Sequence, residues 1–265
     1  MRKTADYLAA ISRGGARAMF RVPGWHLDCS KLDSMHVCSL GICQQVNGNV
    51  LWEAILSGYC GEGSTQSCLQ RCYQDYMEFC SRHQISNRQD VFSVKTFNKK
   101  TRQNYPLMLH KAKEGEETLK YTYHIACKIN DGSLHANLRQ SCVWGLLRYY
   151  DVIRVSGRTF TAAQLSELRF AGETMLVSYA ALAIESVEHE INAWRIVPKF
   201  HLFQHLVETA DVNGNPRFVS CYSDEDLVGK LAVFARHSHI ATQDLNTMFF
   251  YGLFLGIRWN QCFGN

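Results

Sequence analysis

Residues 161–189 read TAAQLSELRFAGETMLVSYAALAIESVEH and predict the fold more clearly than any other stretch of the chain. Their apolar side chains recur at intervals of three and four residues, the spacing that places them on one face of a helix. Leu168, Leu176 and Tyr179 belong to that face, whereas Phe170 lies off it. Thr161 is a suitable N-cap, because its hydroxyl can accept a hydrogen bond from the first helical turn. The stretch therefore predicts a long helix with a buried side and an exposed side.

Helical periodicity continues outward from this stretch over most of the chain. The predicted helices cover residues 6–18, 34–56, 65–83, 106–127, 133–150, 161–189, 199–210, 224–239 and 242–258. Residues 91–105 mix β-branched residues with Asn and Lys and predict a strand or an ordered loop, and a second short strand is expected near Trp194. Residues 213–216, Asn-Gly-Asn-Pro, predict a turn. We therefore expect a mainly α fold with few short strands.

Length and composition indicate a globular protein. At 265 residues and 46% hydrophobic residues, the chain can bury a sizeable core. We predict one mainly helical domain over residues 1–265, made of the segments 22–60, 61–190 and 194–259. No apolar run approaches the roughly 18 residues that a membrane span needs, and the first residues lack the apolar core of a signal peptide. We therefore expect an intracellular protein without membrane contacts.

The chain contains eleven cysteines, an odd number. In an intracellular protein, reduced and mostly buried thiols are the favoured interpretation. Four of them are close together in the sequence: Cys60, Cys68, Cys72 and Cys80. Because no Cys-x2-Cys knuckle is present, a zinc-stabilised structural protein is the weaker alternative.

Two histidines form a second candidate for metal binding. His201 and His205 are four residues apart, with Glu208 nearby, and the two histidines would face the same way on a helix. The intervening glutamate of a metalloprotease motif is missing, so that ordinary core or surface histidines are the favoured interpretation.

The net charge of +4 is too small to indicate a nucleic-acid partner by itself. Its distribution is more informative, because residues 95–128 contain eight basic and three acidic residues, a local charge of +5. Such a segment could follow a phosphate backbone. The candidate DNA-contacting residues are Lys95, Lys99, Lys100, Arg102, Lys111 and Lys113. The alternative is a solvated loop and helix face.

Three further residues suggest a metal-dependent site. Asp33 and His36 form an Asp-x-x-His arrangement, and Glu225 opens an apolar helical pattern far downstream. Carboxylates from distant elements can converge on a divalent cation such as Mg²⁺. Each residue also has a structural explanation, because Asp33 and Glu225 stand at helix starts, where acids are stabilised by the helix dipole. His36 could bond a neighbouring carbonyl. For all three residues, the metal-site interpretation and the structural interpretation stay open.

These motifs carry a family resemblance. Residues 23–29, PGWHLDC, with DSMH at 33–36 and LG at 40–41, resemble the segment after the second catalytic aspartate in CACTA-like transposases, which have an RNase H-like catalytic domain. Residues 197–206, VPKFHLFQHL, with NPRF at 215–218 and CYSDEDLVGK at 221–230, resemble transposase-derived proteins of dinoflagellates. The resemblance extends from residue 23 to about residue 239.

The resemblance implies a chemistry in which three carboxylates hold two divalent ions, usually Mg²⁺, during phosphodiester transfer. Glu225 would be the third carboxylate, and Asp33 with His36 would belong to the motif beside the second. The first two carboxylates and their strands would then precede residue 1. We therefore predict a transposase-derived remnant, made of the helical insertion and C-terminal helices of such a domain, without strand-transfer activity of its own.

This prediction includes partners and alternatives. No cofactor is expected, and Mg²⁺ would bind only if a complete carboxylate site were supplied. The implied partners are DNA, through its backbone phosphates, and another transposase chain, and DNA binding would place the protein in the nucleus. The alternative function is a domesticated, non-enzymatic module that binds DNA or protein.

Overall fold

The computed structural model describes residues 31–101 and 103–263, with side chains except at positions 223, 224, 226 and 254–263. Most of these residues are helical. The α-helices are α1 Cys43–Leu56, α2 Thr65–Arg82, α3 Ala112–Lys128, α4 Leu134–Val155, α5 Ala162–Glu188, α6 Pro198–Glu208, α7 Ala210–Asn213, α8 Tyr222–Arg236 and α9 Gln243–Phe263. A π-helix, Met35–Ile42, leads into α1, and 3-10 helices cover Pro216–Val219 and Ile240–Thr242.

The prediction of a mainly α fold is confirmed, whereas the short strands are not, because the described residues contain no strand. The strand expected near Trp194 is wrong: Trp194 has a φ of 52°, a left-handed conformation that interrupts an extended chain. Residues 91–101 and 103–105 are a loop without a strand, which reverses at Asn98 with a φ of 53°. The predicted helix over residues 6–18 lies outside the described residues. The RNase H-like origin of the helices stays a prediction.

Contacts group the chain into two compact units that divide between Val219 and Ser220. The first unit contains the π-helix and α1 to α7. In the second unit α8 packs against α9, with the rings of Phe234 and Phe250 stacked at a centroid distance of 5.9 Å. The prediction of a single domain over residues 1–265 stays a prediction.

Two hydrophobic clusters form the core of the first unit, and α1 contributes to both. Val46 and Val50 belong to the first cluster, which also contains the buried faces of α4, α5 and α6. Leu51 and Ile55 belong to the second cluster, with α2, α3 and the loop between them. Phe170 is 61% exposed, as its position off the apolar stripe predicts. The helix that joins the clusters is therefore the central element of this unit.

The α4–α5 pair makes the most extensive contact between helices. Gly145 of α4 permits this close approach, since a Cβ at this position would lie 2.6 Å from the carbonyl oxygen of Ala171. Thr161 caps α5 as predicted: its hydroxyl accepts from the amide of Gln164 at 3.3 Å, and the Gln164 side chain accepts from the amide of Thr161 at 3.0 Å. The cap at Thr161 thus fixes where α5 begins, and the lack of a side chain at Gly145 allows α5 to pack closely against α4.

Candidate functional site

Asp33 and His36 lie together at the start of the π-helix. The Asp33 carboxylate accepts hydrogen bonds from the amides of Met35, at 3.0 Å, and His36, at 3.3 Å. The same carboxylate contacts Nδ1 of the His36 ring. The pair is partly exposed, with 17% of the Asp33 side chain and 46% of the His36 side chain accessible. Both carboxylate oxygens therefore have a structural task, the capping of the first turn.

Glu225 lies in the second unit, in the first turn of α8, and is exposed. Its amide donates to the carbonyl oxygen of Cys221 at 2.8 Å, which is an ordinary helical contact. Glu225 therefore lies near the start of a helix, as the sequence predicts. Its role as a third carboxylate stays a prediction.

Lysines at the start and in the middle of α3 pair with glutamates of the same helix, whereas Lys128, in its last turn, lies 5.8 Å from the ring centroid of Tyr59. Lys111 pairs with Glu114 at 3.2 Å, and Lys113 pairs with Glu116 at 3.0 Å. Lys113 also lies 3.5 Å from Glu117, which contacts Lys120 on its other side. Spacings of three and four residues bring such side chains together on a helix surface. The predicted basic segment therefore loses much of its positive charge over α3.

Further positive charge lies on the loop before α3. Lys95 and Lys100 are exposed, and neither has an ion-pair partner within residues 31–101 and 103–263. Lys99 behaves differently, because its ammonium donates to the carbonyl oxygen of Asn104 and lies 5.9 Å from the ring centroid of Trp52. Burial lowers the pKa of Lys99. Arg102 lies outside the described residues.

The loop is held firmly although it has no regular secondary structure. Phe92 and Phe97 anchor it in the second hydrophobic cluster. The amide of Leu109 donates to Thr96 O at 2.7 Å, and the amide of Met108 donates to Gln44 O of α1 at 2.9 Å. Hydrogen bonds at both ends thus fix where the exposed lysines stand.

A buried charged network, which sequence reasoning did not identify, surrounds Glu53 of α1. The Glu53 carboxylate accepts from His135 Nε2 at 3.1 Å, Arg139 Nη1 at 3.0 Å and Trp194 Nε1 at 2.5 Å. His135 Nδ1 lies 2.9 Å from a carboxylate oxygen of Glu185. The network therefore connects α1, α4, α5 and the Trp194 loop.

The two titratable groups at its centre stabilise each other's charged forms. Burial alone would raise the pKa of the Glu53 carboxyl, but hydrogen bonds from His135, Arg139 and Trp194 lower it below its usual range. The hydrogen bond to Glu53, together with the contact to Glu185, raises the pKa of His135 to about 9, against the opposing effect of burial. At neutral pH the network therefore contains the Glu53 carboxylate and a protonated His135. The only sequence signal was a glutamate within the apolar run 50–56, VLWEAIL.

The clustered cysteines are free thiols. Cys60, Cys68, Cys72 and Cys80 all belong to the second hydrophobic cluster. Their contacts include Cys72 Sγ with the Tyr121 hydroxyl, at 3.7 Å, and Cys68 Sγ with Gly61 O, at 3.2 Å. In the first cluster, burial raises the pKa of the thiols of Cys38, Cys43 and Cys142 well above the ordinary range. Cys127 is exposed. The prediction of reduced, mostly buried thiols agrees with these contacts.

Two histidines of α6 face each other at the surface. Nε2 of His201 and Nε2 of His205 are 3.1 Å apart, and the ring centroids are 4.3 Å apart. Within the described part of the chain, no group of three or more His, Cys, Asp or Glu side chains is arranged to hold a metal ion. The histidine pair thus brings two imidazole nitrogens together at the surface of α6.

No described helix is both long enough and apolar enough to span a bilayer.

Comparisons of the chain with protein-family models, with curated proteins and with solved structures found no match.

Proposed function

We propose that the chain is a transposase-derived protein that binds nucleic-acid phosphates without catalysing strand transfer, and that the loop before α3 makes the contact through Lys95 and Lys100. The observation that carries the proposal is the exposure of Lys95 and Lys100 on this fixed loop, away from the glutamates that pair with the lysines of α3. A lysine ammonium acts on phosphate as a point charge. An anchored loop also loses little conformational entropy when it binds.

The transposase origin is supported by the resemblance of residues 33–36 and 215–230 to transposase motifs. A role without catalysis is supported by the Asp33 carboxylate, which accepts hydrogen bonds from the amides of Met35 and His36 and so stabilises the helix start. In this proposal Asp33, His36 and Glu225 are retained as structural residues. A nuclear location follows from the proposed partner.

The expected binding is weak and depends on salt. Sequence-independent contacts to duplex DNA have dissociation constants of roughly 1–100 μM at physiological salt. Each phosphate contact contributes about 0.9 to the slope of log K against log salt. Two lysines on the loop therefore predict a slope of at least about 1.8.

The test is a fluorescence anisotropy titration of a labelled duplex at 50 and 150 mM salt. The variant Lys95→Ala/Lys100→Ala removes two cations from the loop. The matched control, Lys111→Ala/Lys113→Ala, removes the same formal charge from lysines that pair with glutamates. We expect the loop variant to bind at least tenfold more weakly and its salt slope to fall by about 1.8. The control should stay within twofold of the unmodified chain.

Two outcomes would contradict the proposal. Equal weakening by the two variants would indicate a response to net charge rather than a contact through the loop. No binding at 50 mM salt would remove the phosphate-binding function and favour the alternative of a protein-binding module.

A further inference from the structure

The histidine pair of α6 has a geometry that fits a transition-metal ion. Residues four apart lie on one face of a helix, and here the Nε2 atoms of the two imidazoles face each other at 3.1 Å. A metal ion 2.0–2.1 Å from each nitrogen would subtend an angle of about 100° between them. This angle lies between the octahedral and tetrahedral values. Both rings could therefore bind one ion without a change of helix geometry.

Binding of a metal ion by this pair requires a change in which ring nitrogens carry protons. In the contact between the two Nε2 atoms, one ring must donate an N–H and the other must offer its lone pair. A metal ion takes the place of that shared proton, which leaves Nε2 while Nδ1 of the same ring gains a proton, so that both rings stay neutral. Imidazole ligates metals through its neutral form, with the second ring nitrogen carrying the proton.

A carboxylate lies where it can support this arrangement. Oε2 of Glu208 is 3.8 Å from Nδ1 of His205, on the side of the ring opposite His201. Gln204 holds the same carboxylate in place, since its side-chain amide donates to Glu208 Oε1 at 2.7 Å. Histidine ligands commonly donate their second N–H to such a carboxylate, which fixes the tautomer and strengthens the ligand.

The site borders an open groove between α5 and α6. The groove has a volume of about 490 Å³, and its lining includes His201, Glu208 and Glu173 together with the apolar side chains of Leu176, Val177 and Phe200. Water or a small anionic ligand can therefore reach the side of an ion that the two histidines leave open.

We propose that His201 and His205 form a binding site for a late first-row divalent metal ion, such as Zn²⁺, with Glu208 as a positioning residue. Imidazole nitrogen suits Zn²⁺, Ni²⁺ and Cu²⁺, whereas Mg²⁺ prefers oxygen ligands. The site is thus chemically distinct from the carboxylate site that the transposase resemblance implies. It is also independent of the lysine loop.

Isothermal titration of the full untagged chain with Zn²⁺ tests this site. The titration uses a Cys127→Ser background, which removes a thiol that is exposed in the described part of the chain and could compete as a ligand. His205→Gln should weaken binding at this site at least tenfold, and Glu208→Gln should weaken it roughly tenfold. His189→Gln, which removes an exposed histidine at the end of α5, is the matched control and should leave the affinity unchanged.

Circular dichroism of each variant establishes that it is folded. Unchanged affinity in a folded His205→Gln variant would overturn the proposal, as would an equal loss in His189→Gln. Unchanged affinity in Glu208→Gln, together with loss in His205→Gln, would overturn the positioning role of Glu208 alone.

Discussion

Replacement of Glu53 by glutamine tests the charged network that connects the helices of the first unit. The carboxylate receives three donors on its two oxygens, from His135, Arg139 and Trp194. A glutamine has one oxygen, so its NH₂ group would face either the indole N–H or the two cations. In either orientation a donor meets a donor, and the largely buried Arg139 loses its counter-charge.

The expected cost follows from burial. Removal of one partner from a buried ion pair costs about 3–5 kcal/mol. Because 20% of the Glu53 side chain is accessible, we expect the lower end, about 3 kcal/mol. In a urea titration followed by circular dichroism, this loss would move the midpoint by about 1 M for an m value of about 3 kcal/mol/M. The matched control is Glu185→Gln, which changes a half-exposed carboxylate and should cost at most about 1 kcal/mol.

The dependence on pH gives a second, independent signature. The folded-state pKa of His135 is raised to about 9, so its stabilising contribution is fully present below about pH 6.5 and is lost as pH rises through 9. The shift corresponds to about 3 kcal/mol. Since 31% of the side chain is accessible, solvent screening reduces this to about 2 kcal/mol.

Because Glu185 would still contact His135 in Glu53→Gln, the difference in unfolding free energy between the original chain and this variant should narrow by at most about 2 kcal/mol between pH 6.5 and pH 9.5. Equal losses of unfolding free energy in Glu53→Gln and Glu185→Gln would contradict the stabilising role of the Glu53 carboxylate. The same would follow if the original chain and Glu53→Gln differed by an equal amount at both pH values.

Three further expectations concern packing, capping and catalysis. Gly145→Ala should lower the free energy of unfolding by about 1–3 kcal/mol because its Cβ would meet α5. Gly229→Ala in α8, where a Cβ meets no described atom within 4 Å, should not lower the free energy of unfolding. Urea titrations compare the two variants. Thr161→Ala should cost about 1 kcal/mol through loss of the α5 cap, measured in the same way. Purified protein with Mg²⁺ or Mn²⁺ should neither nick nor join plasmid DNA, and metal-dependent cleavage that disappears in Glu225→Ala would contradict this expectation.

Elements stabilised by local interactions could be predicted closely. The helix predicted over residues 65–83 is α2, Thr65–Arg82, and the one over 161–189 is α5, Ala162–Glu188. In both cases the apolar residues and the capping residue belong to one continuous stretch of the sequence. By contrast, the helix predicted from residue 106 begins at Ala112, because the amides of Leu107, Met108 and Leu109 bond to Phe97, Gln44 and Thr96 instead. No local pattern contains those partners.

The same distinction applies to the candidate sites. The pairing of Lys111 and Lys113 with glutamates three and four residues later follows from helical spacing and could have been predicted. The Glu53 network could not, since His135, Arg139 and Trp194 reach it from distant parts of the chain. The histidine pair and the nearby Glu208 were visible in the sequence, but the distance from Glu208 to His205 and the hydrogen bond from Gln204 required the structure.

The distribution of thiols makes covalent labelling a direct readout of how the chain opens. A maleimide would modify Cys127 in the folded protein, whereas thiols in the two hydrophobic clusters would react only after their surroundings separate. Cys142 reports on the first cluster and Cys72 on the second. Peptide masses collected over time would therefore show which half of α1 loses its neighbours first, and whether the two halves of the core come apart together.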